Sequence, residues 1–132
     1  MSNKFYDSVA QVLELDEVGF DTMFRDAPGW CSLHAFGLLV IMENDWNAPM
    51  TISRLQEMST VGELYAEAFL TFAASRFGVD RASLSLDTAY ESIPQWDSVA
   101  HLRLVMEAEK KFGTSYQLER IPQMRKLGDF IS

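Results

Sequence analysis

The chain has 132 residues, of which 48% are hydrophobic and 12% aromatic, and it carries a formal net charge of −8. This composition predicts a globular protein with a packed interior and excludes an intrinsically disordered one. The acidic charge disfavours nucleic acid as a partner, because phosphate binding requires a basic face.

No apolar run is long enough to cross a bilayer, and the first residues lack the zones of a signal peptide. We therefore expect a cytoplasmic protein that does not enter a membrane. The single cysteine, Cys31, allows neither an internal disulfide nor a cysteine-based metal site. We expect Cys31 to be a small packing residue and not a nucleophile.

Helical spacing and turn residues predict an all-α chain without strands. The first half contains a helix over residues 4–14, a loop over 16–29, a second helix from Ser32 to about Asp45, and a short helix near Ile52–Met58. In the second half, a helix runs from Ser98 to about Phe112, before Gly113, and a short piece follows near Leu118–Ile121.

The segment 60–77 links the two halves without a Pro or a Gly/Ser-rich stretch. It opens on the capping box Thr60-Val61-Gly62-Glu63 and predicts one helix roughly 27 Å long at 1.5 Å per residue. Apolar residues cover most of its circumference, so we expect burial on more than one side. The narrow polar stripe of this segment consists of Glu63, Glu67, Thr71 and Ser75.

The chain repeats itself after 66 residues, which divides it into predicted units 1–66 and 67–132. Between residues 20–43 and 86–109, seven of 24 positions are identical, where unrelated sequences would share roughly one or two. A coincidence between two helical segments is disfavoured by the Pro-x-Trp-x-Ser cluster that both contain. The formal charge is −7 in the first unit and −1 in the second, so their surfaces differ.

Residues 93–102, Ile-Pro-Gln-Trp-Asp-Ser-Val-Ala-His-Leu, resemble the phosphopantetheine attachment motif of the acyl carrier protein family. In that family Asp-Ser-Leu opens the second of four helices. Residues 29–33, Gly-Trp-Cys-Ser-Leu, match the motif more loosely. The resemblance implies two tandem four-helix bundles that share the linking helix, with 4'-phosphopantetheine attached to Ser98 and Ser32.

A serine at a helix start suits this role, because its hydroxyl lies beside unpaired N–H groups that favour a phosphate. The alternative is that Ser32 and Ser98 are only helix caps. The chain departs from the family at Cys31, where aspartate is usual, and at Val99, where leucine is usual. The first departure weakens the assignment of Ser32, because it removes a charge that a transferase reads.

The resemblance further implies a non-enzymatic carrier that holds an acyl or aminoacyl group as a thioester. Its partners would be a phosphopantetheinyl transferase and the acyl- or aminoacyl-transferring enzymes of fatty acid, polyketide or nonribosomal peptide biosynthesis. A serine–histidine nucleophile is rejected because His34 and His101 do not align in the repeat; we expect them to be surface or packing residues. The alternative function is an unmodified helical adaptor that acts through protein–protein contacts.

The second helix of the first unit is too apolar for a fully solvated face, with Phe36 and the consecutive residues 38–42. It predicts an interface with the second unit or with a second copy of the chain, as in a homodimer. Deep burial in its own unit is the alternative. Trp30 and Trp96 precede each serine by two residues and are expected to anchor the loops to the bundle.

Overall fold

A computed structural model describes residues 3–131 and is all-α in class, as the sequence predicts. Met1, Ser2 and Ser132, which belong to the predicted units, lie outside the described residues. The only β pairings among residues 3–131 are two isolated bridges. None of the helices in this part of the chain has the length and apolarity that would span a membrane. The α-helices are α1 (Lys4–Leu13), α2 (Ser32–Asn44), α3 (Ile52–Gln56), α4 (Val61–Phe77) and α5 (Ser98–Phe112).

The described residues form two compact units. The N-terminal unit comprises residues 5–68, and the C-terminal unit comprises residues 69–131 together with 3–4. Helix α4 begins in the first and ends in the second. The repeat boundaries 1–66 and 67–132 remain a prediction.

Helix α4 begins where the capping box predicts. The Glu63 carboxylate accepts hydrogen bonds from the backbone N–H groups of Ser59 and Thr60 at 2.9 and 3.1 Å, and the Thr60 hydroxyl accepts one from Glu63 N–H at 3.2 Å. These bonds satisfy donors that a helix start would otherwise leave unpaired. The predicted burial is confirmed, since the apolar residues of α4 are buried and its polar stripe is exposed or half-buried.

Aromatic contacts form the centre of each unit. In the N-terminal unit the ring of Phe5 lies 5.2 Å from that of Trp46 and 5.1 Å from that of Tyr65. In the C-terminal unit the Phe69 ring lies 6.0 Å from Phe112 and 5.3 Å from the ring of Phe130. Each buried phenylalanine contributes about 1.5–3 kcal/mol by leaving water. Aromatic pairing adds about 0.5–1.5 kcal/mol.

The same backbone hydrogen bonds recur in both units at positions 66 residues apart. Segment 20–24 pairs with segment 59–62, and segment 86–90 pairs with segment 125–128. The two isolated bridges, Met23 with Thr60 and Ala89 with Lys126, are equivalent in this sense. In the N-terminal unit the N–H groups of Phe24, Val61 and Gly62 donate to the carbonyl oxygens of Ser59, Thr22 and Phe20, respectively. In the C-terminal unit the N–H groups of Tyr90, Leu127 and Gly128 donate to those of Arg125, Thr88 and Leu86 in the same order.

The equivalent glycines Gly62 and Gly128 permit this close pairing. A Cβ atom on Gly62 would lie 2.6 Å from the carbonyl oxygen of Phe20, and one on Gly128 would lie 3.1 Å from that of Leu86. Real Cβ atoms essentially never approach to the first distance, so a side chain at Gly62 would open the pairing.

One predicted element differs in place and type. The short helix expected near Leu118–Ile121 is a single 3₁₀ turn over Ile121–Gln123 instead. Pro122 accounts for the difference, because proline disfavours the α conformation in the residue before it and lacks an N–H. The other 3₁₀ turns of the described residues cover Phe24–Asp26, Arg81–Ser83 and Leu127–Phe130.

Candidate functional site

Ser98 is the first helical residue of α5, and its side chain is exposed. The preceding residue, Asp97, is the cap: its carboxylate accepts a hydrogen bond of 2.8 Å from the Ala100 N–H. The alternative that Ser98 is itself the cap is therefore wrong. Its hydroxyl lies at the positive end of a 15-residue helix and is free of a capping role.

Ser32 occupies the equivalent position in α2 and is also exposed. Here the cap residue is Cys31, whose backbone N–H donates to Nδ1 of His34 at 3.1 Å. The Cys31 Sγ atom lies 3.3 Å from the same nitrogen. Cys31 is exposed, so the expectation that it packs in the interior is wrong. An Asp side chain, the stronger cap, is missing at this helix start.

The two tryptophans differ in burial. Trp96 is fully buried, which confirms the anchoring role predicted for it. Trp30 is half-buried and stacks on the His34 ring at 5.8 Å. It also packs against Phe24 at 5.6 Å. The tryptophan in the loop before Ser98 is therefore more deeply buried than the tryptophan in the loop before Ser32.

His101 is a buried packing residue, as expected. The indole N–H of Trp96 donates to its Nδ1 atom at 3.1 Å. Because an indole N–H can only donate, Nδ1 is unprotonated and the ring proton is on Nε2. That atom donates to the carbonyl oxygen of Ile121 at 2.9 Å. Both ring nitrogens are thus occupied, and neither bonds to Ser98.

A groove of about 300 Å³ adjoins Ser98. Most of its wall is apolar or aromatic, and it extends from the start of α5 to the 3₁₀ turn over Ile121–Gln123. The sequence gives no signal for this groove, because its wall comes from segments that are distant in the chain. Its lining residues are Tyr90, Ser98, His101, Leu102, Ile121, Pro122, Met124 and Arg125.

The exposed side chains of α5 include large apolar residues as well as the cation Arg103. Two acidic residues of α5 have partners within the unit, since Glu107 pairs with Arg76 at 2.8 Å and Glu109 accepts from Tyr116 N–H at 2.7 Å. Large apolar side chains are exposed on both α5 and α2. They are Val99, Leu102 and Met106 on α5, and Leu33 and Phe36 at the positions of α2 equivalent to Val99 and Leu102.

Two curated proteins are similar to the chain in sequence. They are the acyl carrier proteins of Tropheryma whipplei strains Twist and TW08/27, and each is 27% identical over 74 residues. The matched part covers 56% of this chain and 90% of each relative. No protein-family model matches the chain, and no solved structure gives a significant match. The all-α fold and these matches agree in a distant similarity to acyl carrier proteins.

Proposed function

We propose that the chain is a carrier that holds an acyl or aminoacyl group as a thioester on a 4'-phosphopantetheine arm attached to Ser98. Ser32 is the second attachment site of the proposal. The observation that carries it is the placement of Ser98: an exposed hydroxyl at the start of α5, next to an apolar groove, with Asp97 supplying the cap. The similarity to acyl carrier proteins supports the same function.

The chain's residues suit the attachment chemistry. Ser98 Oγ would replace the nucleotide on the phosphate of coenzyme A, with loss of the hydroxyl proton, in a reaction catalysed by a phosphopantetheinyl transferase. The resulting phosphodiester would lie beside the first-turn N–H groups of α5, where the helix dipole favours a negative charge. The thiol of the arm would then carry the cargo. The chain itself would supply a site and a docking face.

The matched hydrogen bonds of the two units support the further proposal that residues 1–66 and 67–132 are tandem carrier-like modules. Equivalent bonds hold the loop before each serine-bearing helix to the start of the last helical segment of that unit. We assign the stronger site to Ser98, because the aspartate Asp97 precedes it. The residue before Ser32 is Cys31, which has no carboxylate.

A thioester assay tests this function. The chain is treated with a transferase and acetyl coenzyme A and weighed before and after exposure to hydroxylamine, which cleaves thioesters but not phosphodiesters. We expect a gain of the acetylated arm and then loss of the acetyl group alone. Ser98→Ala should abolish the gain at that site. A gain that hydroxylamine does not change would contradict a thioester-carrying role.

A second function, that of an unmodified adaptor, is favoured by the exposed face of α2. Leu33 is 77% exposed and Phe36 64%, and no Asp, Glu, Lys or Arg occurs from Ser32 to Met42. We propose a second copy of the chain as the occupant of this face. In an antiparallel pair of α2 helices, Glu43 at the end of one helix would lie at the positive N-terminal end of the other.

A further inference from the structure

The groove beside Ser98 contains one positively charged side chain among its lining residues, Arg125. His101, in the same wall, is the neutral Nε2–H tautomer that its two hydrogen bonds require. The rest of the wall is apolar or aromatic apart from Ser98 itself. A single arginine in such a wall indicates a binding place for one anionic group.

The guanidinium of Arg125 is held in place without being neutralised. Its Cζ atom lies 5.3 Å from the centroid of the Tyr90 ring. The hydrogen bond that ties Arg125 to Asp129, at 3.0 Å, uses the backbone N–H and leaves the side chain out. Within residues 3–131 the guanidinium forms no ion pair, and the side chain is exposed. Its N–H donors are therefore available to a ligand.

The N-terminal unit also has an arginine over the equivalent aromatic ring, although this arginine comes from a different position in the chain. Arg25 lies over the Phe24 ring at 4.8 Å, and Phe24 is the repeat equivalent of Tyr90. The guanidinium of Arg25 donates to the carbonyl oxygen of Leu55 at 2.8 Å and also to that of Met58. This arginine is occupied by the backbone of its own unit.

In the C-terminal unit the equivalent carbonyl is satisfied by His101. The carbonyl of Ile121 is the repeat equivalent of the Leu55 carbonyl, and it accepts its hydrogen bond from His101. An arginine is not needed to satisfy it. The histidine thus performs in the C-terminal unit a structural task that Arg25 performs in the N-terminal one.

We propose that Arg125 binds the phosphodiester that links the arm to Ser98. The inference rests on the proposed function, because it requires an arm on that serine. The phosphodiester is fixed to Ser98 whatever the cargo, so its charge is always present at this groove. An arginine fork suits two of its oxygens, and the aromatic wall at Tyr90 keeps the fork in the groove. Arg125 is then a positioning residue that restrains the arm.

The test compares the wild type with Arg125→Gln, Arg125→Lys and the matched control Arg103→Gln. Arg103 is an exposed cation on α5 that does not line the groove. Each chain is treated with a transferase and coenzyme A, and its mass establishes whether the arm is on Ser98. The ³¹P chemical shift of the phosphodiester is then measured in the folded chain and in urea. The Nε–Hε signal of Arg125 is followed in the same samples.

We expect the wild type and Arg103→Gln to show a ³¹P shift that differs from the unfolded value. In Arg125→Gln this difference should be lost, and Arg125→Lys should restore part of it. The Arg125 Nε–Hε signal should move on loading, and equally with an arm that ends in a malonyl carboxylate. The inference is overturned by a loaded Arg125→Gln with an unchanged ³¹P shift, or by an Arg125 signal that responds to malonyl alone. Failure of Ser98 to load overturns the proposed function, and this inference with it.

Discussion

The indole N–H of Trp96 donates a 3.1 Å hydrogen bond to Nδ1 of the buried His101, five residues further along the chain. Through Nε2 the same ring reaches the Ile121 carbonyl. His101 therefore ties the loop before Ser98 to the turn that forms the far wall of the groove. In the N-terminal unit the equivalent of His101 is Ala35, so this connection is a property of one unit.

Replacing His101 with leucine should destabilise the chain by about 2 kcal/mol or more, because the Trp96 N–H and the Ile121 carbonyl lose their buried partner. Urea unfolding followed by tryptophan fluorescence measures the change. In the His101→Leu background, Trp96→Phe should cost less than in the wild type, since no hydrogen bond remains for it to break. Equal costs in the two backgrounds would show that the bond contributes nothing.

Gly62→Ala should destabilise the chain by roughly 1–3 kcal/mol, because its Cβ would lie 2.6 Å from the Phe20 carbonyl oxygen. Gly128→Ala should cost less, since its Cβ would lie at 3.1 Å from the Leu86 oxygen. Gly19→Ala is the control, because nothing lies within 4 Å of its added Cβ. Thermal unfolding should show the largest loss of stability for Gly62→Ala, a smaller loss for Gly128→Ala and the smallest for Gly19→Ala. A harmless Gly62→Ala would contradict the close pairing.

Asp97→Ala should cost about 1 kcal/mol, whereas Asp97→Asn should cost little, because asparagine caps helices as well as aspartate does. Chemical denaturation distinguishes the two variants. If the transferase reads the charge, Asp97→Asn should also be loaded more slowly than the wild type while its stability is retained. Equal destabilisation by both substitutions would mean that the 2.8 Å bond to Ala100 is not a cap.

Phe36→Glu should convert a dimer to a monomer if the apolar face of α2 binds a second copy. Phe36 is suited to this test because it is 64% exposed, whereas Ile41 in the same helix is half-buried and its replacement would also disturb the unit. Leu102→Glu, at the equivalent position of α5, should leave the dimer intact. Sedimentation across a concentration range measures this. A wild type that stays monomeric at the highest concentration excludes the dimer.

Much of the local structure follows from residues close together in the chain. The start of α4 was predictable because Thr60 and Glu63 cap it within four residues. The end of α5 was predictable because Gly113 adopts a left-handed conformation with φ of 68°. The self-similarity at an offset of 66 residues was also visible in the sequence, and the matched hydrogen bonds have the same offset.

The groove and its arginine were not predictable in the same way. Arg125 reaches Tyr90 across 35 residues of chain, and His101 reaches Ile121 across 20. Comparing the two halves of the sequence does not reveal these contacts, because it aligns Arg125 with Ser59 and His101 with Ala35. Cys31 was misjudged because small apolar residues are buried more often than not, whereas a helix start at the surface exposes its cap residue.

Site-resolved mass spectrometry tests the central claim most directly. The wild type is treated with a broad-specificity transferase and coenzyme A, digested, and compared with Ser98→Ala and Ser32→Ala, with a known carrier as the positive control. We predict that the peptide containing Ser98 carries the arm at higher occupancy than the peptide containing Ser32. The arm at residue 98 should be lost in Ser98→Ala and retained in Ser32→Ala. An unmodified Ser98 under conditions that fully load the control carrier would contradict the account.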